Sequence, residues 1–202
     1  MPALTFYTNP QSRARIVHWM LEEVGEPYET ILVPFGPEMK APAYRAINPM
    51  GKVPSLKIGD EIVTEVAAII TVLADAFPAA GLMPANRATF YRWMFFGAGP
   101  VEAAVTNQSL GVEVPPERRG MVGYGSLPTV LETLEGQLNA HSFICGNEFS
   151  AADVYIGSQI GWGMRFKTIE ARPAFNAYWS RLTERPALAR STALNDALLP
   201  KE

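Results

Sequence analysis

The sequence predicts an α/β unit followed by an all-helical domain, and three observations predict it. Short strand-like apolar runs alternate with amphipathic helical segments as far as Phe77. A stretch rich in proline and glycine, "PAAGLMPANR", then breaks the alternation. From Ala88 to the C-terminus no segment reads convincingly as a strand. The expected domains are residues 1–79 and 86–202, with a linker near 78–86.

The elements follow in order. "ALTFY" is a short strand, and "SRARIVHWMLEEVG" is a helix with Ile16, Val17, Met20, Leu21 and Val24 on one face. Gly25 is placed to cap its end. "YETILV" is a second strand, and "GPEMKAPAYRAINP" reads as a broken, weak helix. "VPSLKI" and "EIVT" flank Gly59-Asp60, a two-residue hairpin signal. "EVAAIITVLADAF" is a helix ended by Pro78. The order is βαβ, a helical connection, then ββα, which gives one parallel pair and one hairpin. In the second half, "FYRWMFFGAGPVEAAVTNQSL" is helical but broken near Gly97–Pro100, and its aromatic run is expected to be mostly core. "PERRGMVGYGSLPTVLETLEGQLNAH" gives one or two helices. "SAADVYIGSQIGWGM", "RPAFNAYWSRLTE" and "PALARSTALNDALL" complete the chain, and Ser150 and Asp153 form a capping-box-like pair.

Composition narrows the functional classes. Hydrophobic residues make up 48% and charged residues 18%, which suits a globular core. A net charge of −3 without a lysine/arginine block argues against nucleic acid or an anionic membrane as partner. The N-terminus lacks a basic segment followed by a long apolar one, so no signal peptide is expected, and no apolar stretch suggests a membrane span. The single cysteine, Cys145, fits a reducing cytoplasm and is expected to be a small buried residue. His18 and His141 are scattered, so no metal site is expected.

Three stretches carry a resemblance: "SRARIVHWMLEEVGEPYE", "INPMGKVPSL…GDEIVTEVAAI" and "FSAADVYIG". With them the chain resembles the cytosolic glutathione transferases over essentially its whole length, within a bacterial, serine-type, theta-like branch. The middle stretch is the most specific, because order, spacing and residue type agree over more than twenty positions. The resemblance implies a thioredoxin-like N-terminal domain and makes the Ser150/Asp153 pair a folding element of the helical domain. It also implies glutathione as co-substrate, a homodimer, and a role in detoxification.

Within that frame the site residues can be named. The resemblance implies that Val53-Pro54 is cis, which would turn the Val53 peptide groups outward to pair with an extended peptide. A trans proline guarding an edge strand is the competing reading. Glu65 stands at the first turn of a helix, with Thr64 as a plausible N-cap, and suits the helix dipole. The resemblance adds a role in accepting the γ-glutamyl ammonium, while the free N–H groups of the same helix face the neighbouring carboxylate. Val66 stands where the family usually has serine or threonine, so a hydrogen bond worth about 0.5–1.5 kcal/mol is lost. Lys40 and Lys52 are placed to meet the glycyl carboxylate. Arg13 and Arg15 oppose the dipole at a helix start and read as salt-bridged surface residues.

A cysteine thiol has a pKa near 8.5, and lowering it by about two units requires about 2.7 kcal/mol of thiolate stabilisation. A hydroxyl donor at a helix N-terminus can supply this. Ser12, in the loop "TNPQSRAR", is the expected donor, with ordinary N-capping as its competing role. Tyr7 is the rival donor; its competing role is that of a strand-end aromatic packed in the core. Phe96, Trp162 and Phe166 are the expected walls of an apolar pocket for a small electrophile. The expected reaction is addition of glutathione thiolate to such an electrophile. A glutathione-dependent isomerase of the same fold, or a non-catalytic interaction module that kept the fold, are the alternatives.

Overall fold

A computed structural model of the chain describes residues 2–199. The chain divides into two compact units. One runs up to Gly81 and also takes in the segment from Arg185 onward; the other spans Leu82–Glu184.

The first unit contains β1 (Leu4–Thr8), α1 (Ala14–Val24), β2 (Glu29–Leu32), α2 (Pro37–Lys40), α3 (Pro42–Arg45), β3 (Ser55–Ile58), β4 (Glu61–Thr64) and α4 (Val66–Ala76). The sheet order is β2-β1-β3-β4, with β1 and β2 parallel and the other two pairings antiparallel. This is the expected βαβ-ββα arrangement, with the weak helix resolved into two single turns that each start at a proline. Gly25 ends α1 in the left-handed region, φ 76°, and donates to the Leu21 carbonyl.

Strand alternation gives each face of the sheet its own core. Phe6 points toward α1 and meets His18, while Leu56, Ile69, Ile70 and Leu73 are buried in the same unit. Tyr7 points the other way, onto Val33, Met39 and Tyr44. His18 is buried, which lowers its pKa below the ordinary histidine value, and its Nε2 shares a hydrogen bond with the Tyr28 hydroxyl (2.9 Å).

The sequence reading carries the helical domain to 202, whereas by contacts the segment from Arg185 onward groups with the first unit. Helix α10 (Pro186–Ala197) packs on α1 in the first unit, burying Ala187, Ser191 and Asn195, which lie one turn apart on one face. Its charges match those of α1: Arg185 to Glu23 (2.6 and 2.7 Å), Arg190 to Glu22 (2.8 Å) and Asp196 to Arg15 (2.7 Å). Pairs this far apart in sequence leave no local signal, whereas the helical period of α10 does.

The second unit holds α5 (Arg87–Phe96), α6 (Glu102–Ser109), α7 (Leu127–Ala140), α8 (Ala151–Arg165) and α9 (Pro173–Thr183). Among its described residues the only strand-like feature is an isolated bridge between Phe143 and Gly146. The break after α5 is a wide π turn, Gly97–Val101. A Cβ on Gly97 would stand 2.8 Å from Ile156 Cδ1 and 2.9 Å from Tyr155 Cε1, so the turn packs closely on α8 at this glycine. The Ser150/Asp153 capping box forms, and Asp153 also accepts from the Ile144 N–H (2.7 Å) and the Tyr178 hydroxyl (2.8 Å). Burial pushes the Asp153 pKa up, and these donors pull it back.

Two core expectations are only partly met. In "FYRWMFF", Phe90, Trp93 and Met94 are buried, but Tyr91 and Phe95 are exposed on the outer face of α5. Cys145 is half-buried, and burial raises its thiol pKa to about 11. Among the described residues no helix is long and apolar enough to cross a membrane.

Candidate functional site

Strand register gathers the predicted site residues of the first unit. Tyr7 pairs with Ser55, and Ser55 pairs with Thr64. The loop leaving β1, the Val53-Pro54 bond entering β3 and Glu65 leaving β4 therefore share one end of the sheet. Adjacent strands lie about 4.8 Å apart, so the ends of β1 and β4 are separated by about 10 Å.

The loop after β1 is built by Asn9. Its Nδ2 donates to the Val33 carbonyl (3.1 Å), and its Oδ1 accepts the Gln11 N–H (3.0 Å). Its carbonyl accepts both the Ser12 N–H (3.1 Å) and the Ser12 hydroxyl (2.7 Å). Ser12 Oγ in turn accepts the Ala14 N–H (3.1 Å), so the hydroxyl sits at the N-terminal turn of α1, half-buried. Capping and hydroxyl presentation thus coexist at Ser12. Tyr7 is also half-buried, with its ring 6.0 Å from that of Tyr44.

The Val53-Pro54 bond is cis. The loop before it is tightly held. Asn48 Nδ2 and the Tyr44 hydroxyl both donate to the Lys52 carbonyl (2.8 Å each), and the Ser55 hydroxyl lies 3.0 Å from that of Tyr44. Lys40 Nζ donates to the carbonyls of Gly51 (2.6 Å) and Met50 (3.2 Å), which occupies two of its three donors. Gly51 is at φ 56°, and a Cβ there would stand 2.7 Å from the Met39 carbonyl oxygen. Lys52 has an exposed side chain.

Glu65 differs from expectation in one respect. Thr64 ends β4, and Glu65 itself is the N-cap residue, with Val66 first in α4. Ladder pairing of Thr64 with Ser55 takes it out of the capping position. Glu65 is exposed at φ 67° and ψ 122°, a strained backbone for a residue with a Cβ, which costs on the order of 1–3 kcal/mol. Its side chain makes no capping hydrogen bond.

The remaining predicted residues belong to the second unit: Phe96 ends α5, Trp162 lies in α8 and Phe166 follows α8. Phe96 packs edge-on against Trp93 (5.4 Å between ring centres) and is half-buried, as is Trp162. Phe166 is 67% exposed. Among the described residues no group of three or more His, Cys, Asp or Glu is arranged to hold a metal ion. Asn9, Tyr44 and Asn48 were not singled out from sequence as site supports. The Asn-Pro dipeptides at 9–10 and 48–49 are turn signals and were the available clue.

Comparison with known proteins gives a consistent result. Residues 12–76 match the family described as glutathione S-transferase, N-terminal domain, and residues 125–186 match glutathione S-transferase, C-terminal domain. Glutathione S-transferase GstA of Escherichia coli O157:H7 is 30% identical over 149 residues, covering 71% of this chain and 73% of that one. A glutathione transferase from Methylococcus capsulatus str. Bath superposes with a TM-score of 0.79 at 26% identity, covering 96% of this chain and 100% of that one. A theta class glutathione S-transferase from Xanthomonas axonopodis pv. citri, solved with glutathione bound, gives a TM-score of 0.74 at 31% identity, covering 95% and 98%.

Proposed function

The chain belongs to the glutathione S-transferase family, and from that premise we propose that it activates glutathione as thiolate and adds it to small apolar electrophiles. The observation that carries the reading is the convergence of the Ser12 loop, Val53-Pro54 and Glu65 at one end of the sheet. An extended tripeptide is about 10 Å long, which matches the span from the β1 end to the β4 end. In this reading the γ-glutamyl ammonium meets Glu65, and its carboxylate meets the first N–H groups of α4. The cysteinyl portion runs beside Val53, and the thiol falls near Ser12. Lys52 is free to take the glycyl carboxylate, with Lys40 offering its third donor. The isomerase and non-catalytic readings are not favoured by relatives that are named transferases.

Thiol activation follows from the Ser12 geometry. Its hydroxyl now donates its proton in a hydrogen bond to the Asn9 carbonyl, which also accepts the Ser12 N–H. Turning that proton to a thiolate sulfur leaves the carbonyl still paired, so the exchange costs little. The Ala14 N–H bonded to Oγ polarises the hydroxyl and makes it a better donor. We assign the chain to the serine-type, theta-like branch on this basis.

Three finer readings accompany this one. A homodimer is supported by the exposed Tyr91 and Phe95, one turn apart on α5. A cytoplasmic location suits a single cysteine outside any disulfide. Detoxification is the role such conjugation serves.

Calorimetric titration with reduced glutathione tests the core of this function. Wild type should bind, and Glu65→Ala should bind at least about 30-fold more weakly, equivalent to about 2 kcal/mol. Equal binding by the two proteins, or binding by neither, overturns the reading.

A further inference from the structure

Arg15 is held from three sides. Its backbone N–H reaches the Ser12 carbonyl (3.3 Å), its Nε donates to the Pro10 carbonyl (2.5 Å), and its second guanidinium nitrogen meets Asp196 Oδ1 (2.7 Å). The first two contacts bracket the loop that presents the Ser12 hydroxyl. The third ties that loop to α10, far along the chain. Arg15 thereby completes from the helix side the clamp that Asn9 makes from the strand side.

Resting on the reading of Ser12 as thiol activator, we infer that Arg15 is a positioning residue for the Ser12 hydroxyl, and that Asp196 of α10 braces it for that task. A donor must be aimed within about 0.5 Å to stabilise a sulfur anion fully, so the loop carrying it needs a rigid support. The guanidinium suits the task because its planar fork fixes two donors at a set angle. Its side chain is 24% exposed, against 55% for Asp196, so the loop contact is the more sheltered of the two. Helix α10 keeps its other ties to α1, Glu23–Arg185 and Glu22–Arg190, when Asp196 is changed. The brace can therefore be removed with the helix still docked.

Two roles for Arg15 predict opposite signs. If it were only a cation near the sulfur, removing Asp196 would leave its charge less neutralised and lower the thiol pKa. If it positions Ser12, removing Asp196 lets the loop drift and raises the thiol pKa.

The experiment is thiolate absorbance of the glutathione complex against pH, on the full chain and its variants Ser12→Ala, Asp196→Ala, Asp196→Asn, Arg15→Lys and Ser12→Ala/Asp196→Ala. Asp196→Ala should raise the thiol pKa by about half a unit, a threefold loss of thiolate at pH values well below that pKa, with glutathione affinity within about twofold. Asp196→Asn keeps an acceptor and should recover most of the loss. Arg15→Lys keeps the charge, loses the fork and should behave like Asp196→Ala; it carries the test if Asp196→Ala fails to fold. The double variant should shift no further than Ser12→Ala, because the brace acts through that hydroxyl. A lowered or unchanged pKa in Asp196→Ala, or an equal increment in both backgrounds, overturns the inference while leaving Ser12 in its role. An unchanged pKa in Ser12→Ala overturns the Ser12 reading itself, and this inference falls with it.

Discussion

One hydroxyl proton separates the present state of Ser12 from its proposed working state. The hydroxyl donates to the Asn9 carbonyl (2.7 Å between the two oxygens), in a loop whose other bonds survive its turning away. Tyr7 has no such arrangement: its ring is packed with Tyr44 on the opposite side of the sheet from α1. Ser12→Ala should therefore lower the rate of conjugation by about 10²-fold, the usual cost of removing one donor to a developing anion. Tyr7→Phe should leave the pKa of bound glutathione unchanged. If Tyr7→Phe raises that pKa by a unit or more and Ser12→Ala does not, Ser12 is only a cap. The hydroxyls and the glutamate of the proposed site could be named from the sequence because each has a chemistry of its own. Asn9, Asn48 and Tyr44 were not, because their task is to satisfy backbone carbonyls at Val33 and Lys52 that no sequence pattern displays.

At the scale of elements, the helix α8 makes the sharpest packing demand. A Cβ on Gly161 would stand 2.7 Å from three atoms of the Trp179 ring on α9. An indole cannot fold aside as a leucine end can. Gly161→Ala should lose stability by about 1–3 kcal/mol through overpacking, outweighing the gain of about 1 kcal/mol in helix propensity. Thermal unfolding measures the balance, and a variant that melts above wild type would show that propensity wins. Such glycines explain why helical periods were readable while contacts between helices were not. The period belongs to one segment, so α1, α4, α8 and α9 were found in place. The aromatic run on α5 misled because an apolar residue reports what could be buried, and Tyr91 and Phe95 are not. Likewise Thr64 looked like a cap from its position before Glu65, but its place opposite Ser55 in the ladder had the prior claim.

At the scale of the whole chain, the last helix is part of the first unit. Its buried face presents Ala187, Ser191 and Asn195 to α1, small enough for close approach, and its three charged contacts match Glu23, Glu22 and Arg15 in order. The first unit is thus assembled from two segments far apart in the sequence, and its stability should depend on both. A chain ending at Glu184 should keep the helices α5–α9 but leave the α1 face uncovered, with Glu22 and Glu23 deprived of their arginines. Hydrogen exchange read residue by residue distinguishes this from a uniform loss. Amides of α1 and β1 should lose protection by about 10-fold or more in the shortened chain, while those of α8, packed on α9 within the second unit, should change little. Supplying a peptide of residues 185–199 should restore protection in α1 if the contacts alone are responsible. Unchanged exchange in α1 after truncation would mean that α10 merely rests on a unit already stable without it, and the first seventy-odd residues would then stand as the independent domain that their alternating pattern suggests.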